Sequence, residues 1–417
     1  MGSANLHLPL RRFVSVGLKS EAMKPLGATL KVVVVHNAYL QRGGEDAVVE
    51  SEVALLRNRG HAVQTYLRDN EEIVGIGHAL AAVNTLWSRR TTAEFGALLQ
   101  AQRPDVVHVH NTFPLISPSL YWAAARAGVP VVQTLHNFRL MCPQGMLLRE
   151  GRICESCVGR APVPAVVHAC YQGQRPQTAV AAGMLVLHRA LGTWQQKVQR
   201  YIALNAFCRN KFIEGGLPAE RIVIKPNFVD LPAPAEGPRS GLLFVGRLSR
   251  EKGIATLADA ARGLAPGILR VAGAGPEAER LNGIPAVHAL GAVDGPQVVA
   301  EMVQASALIL PSLWYENFPR TLVEAFACGL PVLASRIGAL AELVEDGVTG
   351  LLVEPGNAAA WAAKMQWALE NPERMAQMGR AARALYERRY TADVNHSQLT
   401  AIYRDAMAES AASRATP

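Results

Sequence analysis

The stretch LKVVVVHNAYLQRGGEDAVVESEVALLRNRG, residues 30–60, decides how the rest of the chain is read. A β-branched apolar run closes on His36 and Asn37, a loop with Gly43 and Gly44 follows, and a helical pattern runs from Glu45 to Arg59. That order reads as strand, loop, helix: β-branched residues suit a pleated surface, and apolar positions every three or four residues suit a helix. The loop carries Arg42-Gly43-Gly44-Glu45 where a dinucleotide site would carry G-x-G-x-x-G, which argues against NAD. Paired glycines allow a ligand close to the backbone, and they equally suit a plain turn.

The alternation continues through HAVQTYL (61–67), PDVVHVHN (104–111), a helix at 120–128 closed by Gly128, and PVVQTLHN (130–137). An amphipathic stretch, 178–200, leads into YIALN (201–205) and RIVIKPNFVD (221–230). Residues 231–241, LPAPAEGPRSG, have the Pro- and Gly-rich composition of an interdomain connection. Strands then recur at 241–248, 267–275, 286–293, 305–312, 331–335 and 349–356. A helical pattern spans 372–389, a bend is expected near Tyr390 and Thr391, and a final helix runs to about Ala408. Such alternation predicts an α/β fold with two doubly wound parallel sheets, Rossmann-like, facing across a cleft. The 417 residues also exceed the roughly 250 to 300 that one core supports.

The charge of +8, from 42 Lys and Arg against 34 Asp and Glu, favours an anionic partner: a phosphorylated small molecule, an acidic membrane surface or nucleic acid. No run reaches the roughly 20 apolar residues of a spanning helix, so a cytoplasmic protein is expected. Residues 1–28 read as a loose extension, and Leu6 stands where acylation of Gly2 would want Ser or Thr.

In parallel sheets ligands bind beyond the carboxyl ends of the strands. His36-Asn37, His110-Asn111, His136-Asn137, Gly246-Arg247, Gly273 to Gly275 and Ser312 to Glu316 all follow apolar runs. In Glu316-Asn317-Phe318-Pro319-Arg320-Thr321-Leu322-Val323-Glu324 one carboxylate lies in a loop and the second about one turn into a helix. The first turn offers unpaired N–H groups to a phosphate, and carboxylates can grip hydroxyls. The sequence has no Asp-x-Asp to clamp a metal on a diphosphate, so Arg247 and Lys252 are the candidates to neutralise one. The plain alternative for both is a surface ion pair with Glu251 or Asp259.

With GRLSREKG (246–253), AGAGPE (272–277) and GVTGLLVEPG (347–356), this E-x7-E segment closely resembles the retaining glycosyltransferases of family 4, which have the GT-B fold. The resemblance begins near residue 31 and covers nearly the whole remaining chain. It implies a residue-by-residue assignment. Glu324 holds the nucleotide ribose and Glu316 the transferred sugar, while Asn317, Phe318 and Pro319 bring backbone near the sugar hydroxyls and phosphates. Thr321 and Leu322 approach the phosphate and the base or ribose; Gly246, Gly273 and Gly275 lie near the nucleotide. From the N-terminal half, Gly43 and Gly44 approach donor or acceptor, and His136 contacts the donor sugar. His136, Arg247, Lys252 and Glu316 form the catalytic set. His108 reads as a cross-strand packing residue and His110 as a secondary candidate.

The family is understood to react on one face of the sugar, with the leaving diphosphate assisting deprotonation of the acceptor. No cofactor is then required, and the nucleotide-diphosphate sugar is a co-substrate. The resemblance implies an acceptor domain at 29–229, a donor domain at 230–391, and a final helix, 392–417, packed back on the first. The partners implied are a nucleotide sugar and a glycan or lipid-linked acceptor in cell-surface polysaccharide synthesis, without nucleic acid. Residues 178–201 mix apolar and basic side chains and suit either a packing helix or peripheral contact with the inner face of a membrane.

Cys142, Cys154, Cys157 and Cys170 have C-x11-C-x2-C-x12-C spacing in a segment, 142–170, without clear periodicity. In a reducing compartment the pattern suits either free thiols or a structural zinc, with His168 as a substitute ligand. Cys208 and Cys328 read as packing residues. Two other functions stay open on sequence: a nucleotide-sugar epimerase of the same fold, and a non-catalytic binding module.

Overall fold

A computed structural model describes residues 28–40, 42–233 and 237–415; most of the expected N-terminal extension, 1–27, lies outside the described residues. The N-terminal half runs β1 (Lys31–Ala38), α1 (Gly44–Asn58), β2 (Ala62–Asp69), α2 (Glu72–Ile76), α3 (His78–Leu86), α4 (Arg89–Gln102), β3 (Val106–Val109), α5 (Ser119–Ala127) and β4 (Val131–Thr134). A small hairpin, β5 (Leu148–Arg149) and β6 (Arg152–Ile153), then precedes α6 (Val163–Val167), α7 (Arg175–Ala190), α8 (Thr193–Gln196), β7 (Arg200–Ala203), α9 (Ala206–Glu214) and β8 (Ile222–Ile224). The order across the sheet is β2-β1-β3-β4-β7-β8, all parallel. β1 is buried from Val32 to Asn37, the signature of a strand covered on both faces.

The C-terminal half runs β9 (Leu242–Val245), α10 (Ile254–Ala261), β10 (Leu269–Ala272), β11 (Val287–Gly291), α11 (Gly295–Gln304), β12 (Ala307–Leu310), α12 (Arg320–Ala327), β13 (Val332–Ser335), α13 (Leu340–Leu343), β14 (Gly350–Val353), α14 (Ala358–Glu370) and α15 (Pro372–Arg389). Its sheet order, β11-β10-β9-β12-β13-β14, is again wholly parallel. The order reverses between β1 and β3 in the first sheet and between β9 and β12 in the second. Those two switch points are where open sheets leave a crevice for ligands.

The final helix, α16 (Ala392–Ala415), extends past Ala408 because its alternating small and polar residues keep good helical propensity to the end. It lies on the first sheet, where Leu399, Ile402, Tyr403 and Ala406 join Val32, Val34, Val106, Val132 and Ile202 in one core. The chain crosses between the halves twice, side by side. Val229 N–H donates to Tyr390 O at 3.4 Å, Tyr386 Oη to Val229 O at 3.0 Å, and Asn395 Nδ2 to Pro226 O at 3.0 Å.

The 178–200 stretch is α7 and α8, whose Ala181, Met184, Leu185 and His188 are buried. α7 packs on α3 and α6. No helix among the described residues is long and apolar enough to cross a membrane.

Candidate active site

The loop after β9 is pressed against the end of β12. Gly253 has φ 76°, and a Cβ there would stand 1.9 Å from Pro311 O. Glycine alone fits, and the contact delivers Lys252 to the neighbouring loop. Lys252 Nζ donates to Glu316 Oε1 at 2.7 Å, and Ser312 Oγ donates to the same oxygen at 2.7 Å. Glu316 is buried while Lys252 remains a quarter exposed. Arg247, 61% exposed, pairs with Glu251, which also accepts from Ser249 Oγ at 2.7 Å. Burial pushes the Glu251 carboxyl up, but Ser249, a backbone hydrogen bond and Arg247 together outweigh it and hold Glu251 below its ordinary range. The surface-pair alternative thus describes Arg247 as drawn, but not Lys252.

Glu324 accepts from Arg320 Nε at 2.9 Å. Its burial raises the carboxyl above the usual value, against the opposing charge of Arg320. α12 begins after Pro319 without a side-chain cap, and Thr321 is half-buried in its first turn. The Leu322 side chain is fully buried in the core, and its N–H donates to Pro319 O at 3.1 Å. Apolar packing holds that side chain. Phe318 is likewise buried, beside Tyr390. Gly273 and Gly275 have a structural reason of their own, since Cβ atoms there would stand 1.9 Å from Gly246 O and 2.3 Å from Leu248 O.

Opposite lies the carboxyl end of the first sheet. Asp46 Oδ1 is 2.8 Å from His36 Nε2, and its Oδ2 accepts the Gly43 N–H at 2.7 Å, capping α1. Gly43 and Gly44 are exposed, and a Cβ at Gly44 would meet nothing within 4 Å. His110 Nδ1 and His136 Nε2 are 2.8 Å apart with the rings stacked. Behind them Glu52 Oε2 stands 3.5 Å from His110 Nε2, and Lys225 Nζ donates to Glu52 Oε1 at 2.6 Å in a fully buried pair. His108 bonds Thr134 Oγ1 and Tyr403 Oη, both at 2.8 Å. Burial lowers His108 to about 4 and drives His110 and His136 well below their ordinary value, so this cluster is neutral near pH 7. Glu45 is pushed by burial to about 7, and accepts from Tyr39 Oη at 2.9 Å and from Asn137 Nδ2 at 3.4 Å. Sequence reading missed Glu45, Asp46, Glu52 and Lys225. The available signal was acidic residues on the buried face of α1 and a lysine inside an apolar run.

Side chains from both halves tie them together at the site. Asn317 Nδ2 donates to Leu135 O at 2.8 Å, and Asn317 O accepts from Asn205 Nδ2 at 2.6 Å. Glu316 and His136 therefore each flank one end of a single hydrogen bond. Arg320 also acts across the cleft: after Arg42, its charge helps hold Glu50 of α1 below the usual carboxylate range.

Cys142, Cys154, Cys157 and Cys170 are free and wall one small cavity, whereas His168 is exposed and does not line it. The substitute-ligand expectation for His168 fails, because the residue ends α6 on its solvent side. Burial, then the neighbouring cysteines, raises the Cys157 and Cys170 thiols. Among the described residues the group whose ligand atoms all lie within 4.8 Å is Glu52, His108 and His110. Cys208 and Cys328 are buried, and the Cys208 thiol also donates to the Asn317 side chain from the opposite half.

Two family models match the chain: "Glycosyl transferase 4-like domain" over residues 43–227 and "Glycosyl transferases group 1" over residues 234–385. Phosphatidyl-myo-inositol mannosyltransferase of Mycobacterium leprae is 31% identical, over 59% of this chain and 68% of that protein. The chain belongs to the family-4 type of GT-B glycosyltransferases. D-rhamnosyltransferase WbpZ of Pseudomonas aeruginosa is 37% identical over 37% of this chain. The chain spans 42% of WbpZ and 64% of a matched Mycobacterium tuberculosis glycogen synthase. Among solved structures, Anabaena Alr3699/HepE in complex with UDP has TM-score 0.62 at 18% identity, covering 89% of this chain and 99% of that one. Sucrose-phosphate synthase from Thermosynechococcus elongatus has TM-score 0.66 at 19% identity, covering 91% and 100%. These two likenesses bear on the GT-B fold.

Proposed function

We propose that this glycosyltransferase moves a sugar from a nucleotide-diphosphate sugar to a glycan or lipid-linked acceptor, with retention of anomeric configuration, in cell-surface polysaccharide synthesis. The observation that carries the reading is the Asn317 to Leu135 hydrogen bond, which joins the residue after Glu316 to the residue before His136 across the two halves, with Lys252 paired to Glu316. In this reading residues 29–229 take the acceptor and residues 230–391 the donor. Glu324 grips the ribose, Glu316 the sugar hydroxyls, and the uncapped start of α12 faces the phosphates. Lys252 exchanges Glu316 for the diphosphate, and Arg247, mostly exposed, turns to it as well. The bond from the anomeric carbon to the phosphate oxygen breaks, the electron pair leaves with the diphosphate, and Lys252 and Arg247 stabilise that charge. The acceptor oxygen bonds to the same face, and its proton passes to the departing phosphate. His136, held neutral and stacked on His110, positions the sugar. No metal has a part in this scheme. UDP in a complex of the Anabaena neighbour supports a nucleotide donor.

A panel of nucleotide sugars tested by thermal shift should show one stabilising donor class. Lys252→Ala should then lower kcat by about 10²- to 10³-fold, the usual effect of deleting one charge-stabilising group. Wild-type turnover in that variant, an inverted anomeric product by NMR, or interconversion of nucleotide sugars without acceptor would overturn the reading.

Exposed Leu80 and Val83 on α3, Val163 and Val167 on α6, and Val186 on α7 support peripheral membrane contact on the acceptor half. Flotation with anionic liposomes should retain the protein, and Val163→Glu with Val167→Glu should release it. Loss of neither on mutation, or no retention at all, would count against that contact.

A further inference from the structure

We propose that Cys142, Cys154, Cys157 and Cys170 form a structural zinc site, and that it fastens residues 142–170 as a clasp over the two loops carrying Lys252 and Glu316. The four cysteines leave four different points of the segment and reach one cavity, shared with Leu148, Pro164 and Ala165. Cys142 precedes the hairpin, Cys154 follows it, Cys157 closes the next turn, and Cys170 follows α6. Cys154 N–H donates to Leu147 O at 2.8 Å and Val158 N–H to Glu155 O at 3.0 Å, so the C-x2-C pair sits on one tight turn tied to the hairpin.

The segment has little else to organise it. Its strands are two residues each and its helix five, too short to hold themselves by backbone hydrogen bonding. Four thiolates with no open position select a borderline-soft, tetrahedral ion, which is zinc in a structural role. The sulfurs stand wider apart here than ligands of a bound ion, and zinc would have to draw them together within the cavity they share. The tighter group of Glu52, His108 and His110 is a poorer cation site. Lys225 Nζ already sits 2.6 Å from Glu52, and both ring nitrogens of His108 are engaged by Thr134 and Tyr403.

The clasp is visible at two contacts. The hairpin turn at Gly151 lies so close to Arg250 that a Cβ there would stand 2.7 Å from Arg250 Nε, and Arg250 begins the turn that ends at Lys252. Glu155, between the paired cysteines, binds Lys211 Nζ at 2.9 Å and hydrogen-bonds the hydroxyl of Tyr315, the residue before Glu316. The zinc site stands apart from the transfer reaction; the effect on donor binding rests on the function proposed above.

The full chain, purified without added metal, should contain about one zinc per chain. A mercurial titration of the wild type should release that zinc in step with modification of four thiols, and cobalt in its place should give thiolate charge-transfer absorption. Cys154→Ser and Cys170→Ser should each lose the metal. Zinc well below one per chain in folded protein, or a disulfide among these cysteines by mass spectrometry, would overturn the site whatever the enzyme's activity. Zinc release should also raise severalfold the nucleotide-sugar concentration needed for half-maximal thermal shift; an unchanged value would remove the clasp and leave donor binding intact.

Discussion

Glu45 has a folded-state carboxyl at about 7 against 4.5 for the free group, because burial disfavours its charge. Both states are protonated below about pH 4.5. As pH rises toward 7 the unfolded chain releases this proton first, so stability falls by about 3 kcal/mol at 1.36 kcal/mol per pH unit. Glu45→Gln should remove that slope, and the stability gained by the variant should be about 3 kcal/mol larger near pH 8 than near pH 4.5 in urea unfolding. His108 has the opposite sign: its folded value of about 4 lies below 6.5, so its contribution is present above about pH 6.5 and lost as pH falls through 4. Lys225→Met should cost about 3 to 5 kcal/mol by leaving Glu52 buried and unpaired, and adding Glu52→Gln should restore much of it in the same assay. Arg247, Lys252, Glu316 and Glu324 could be singled out as candidates because each sits in a short motif whose glycine or proline punctuation shows in sequence. The Glu52–Lys225 pair was not, since its partners are 173 positions apart and each looks like an ordinary surface charge.

At the scale of the element, the two sheets were legible for the reason that parallel strands are buried on both faces and read as unbroken apolar runs. α2, α3 and α4, between residues 72 and 102, escaped because α4 shows low mean apolarity and α2 is a single turn. The hairpin and α6 are shorter than any period that could announce them. The loop that delivers Lys252 gives the sharpest element-level test. Gly253→Ala combines a left-handed φ with a 1.9 Å approach to a backbone carbonyl, which cannot yield as a flexible side chain would. It should cost several kcal/mol, on the order of the largest single-site losses, and shift Lys252. Melting temperature and donor affinity should fall together. Gly44→Ala, with open space before it, should stay within about 0.5 kcal/mol in stability and report instead on whether a ligand approaches that loop.

For the whole molecule, the two-domain plan was readable from the break at 231–241, yet the connection begins earlier and is braced by the returning chain at Tyr390 and Asn395. Such bracing needs tertiary contacts that no local pattern carries. Removing residues 390–415 should strip Leu399, Ile402, Tyr403 and Ala406 from the first sheet and bare its apolar face. The truncated chain should aggregate or bind a hydrophobic dye, whereas the intact chain should not. This return of α16 also bears on biosynthesis. Of the two halves, the one made first is sealed last, because its covering helix is translated only after the second domain. Domains usually complete themselves in the order they emerge. Here the nascent first sheet must wait, one face uncovered, through synthesis of the entire second domain, and a chaperone that shields apolar surface has that interval in which to act.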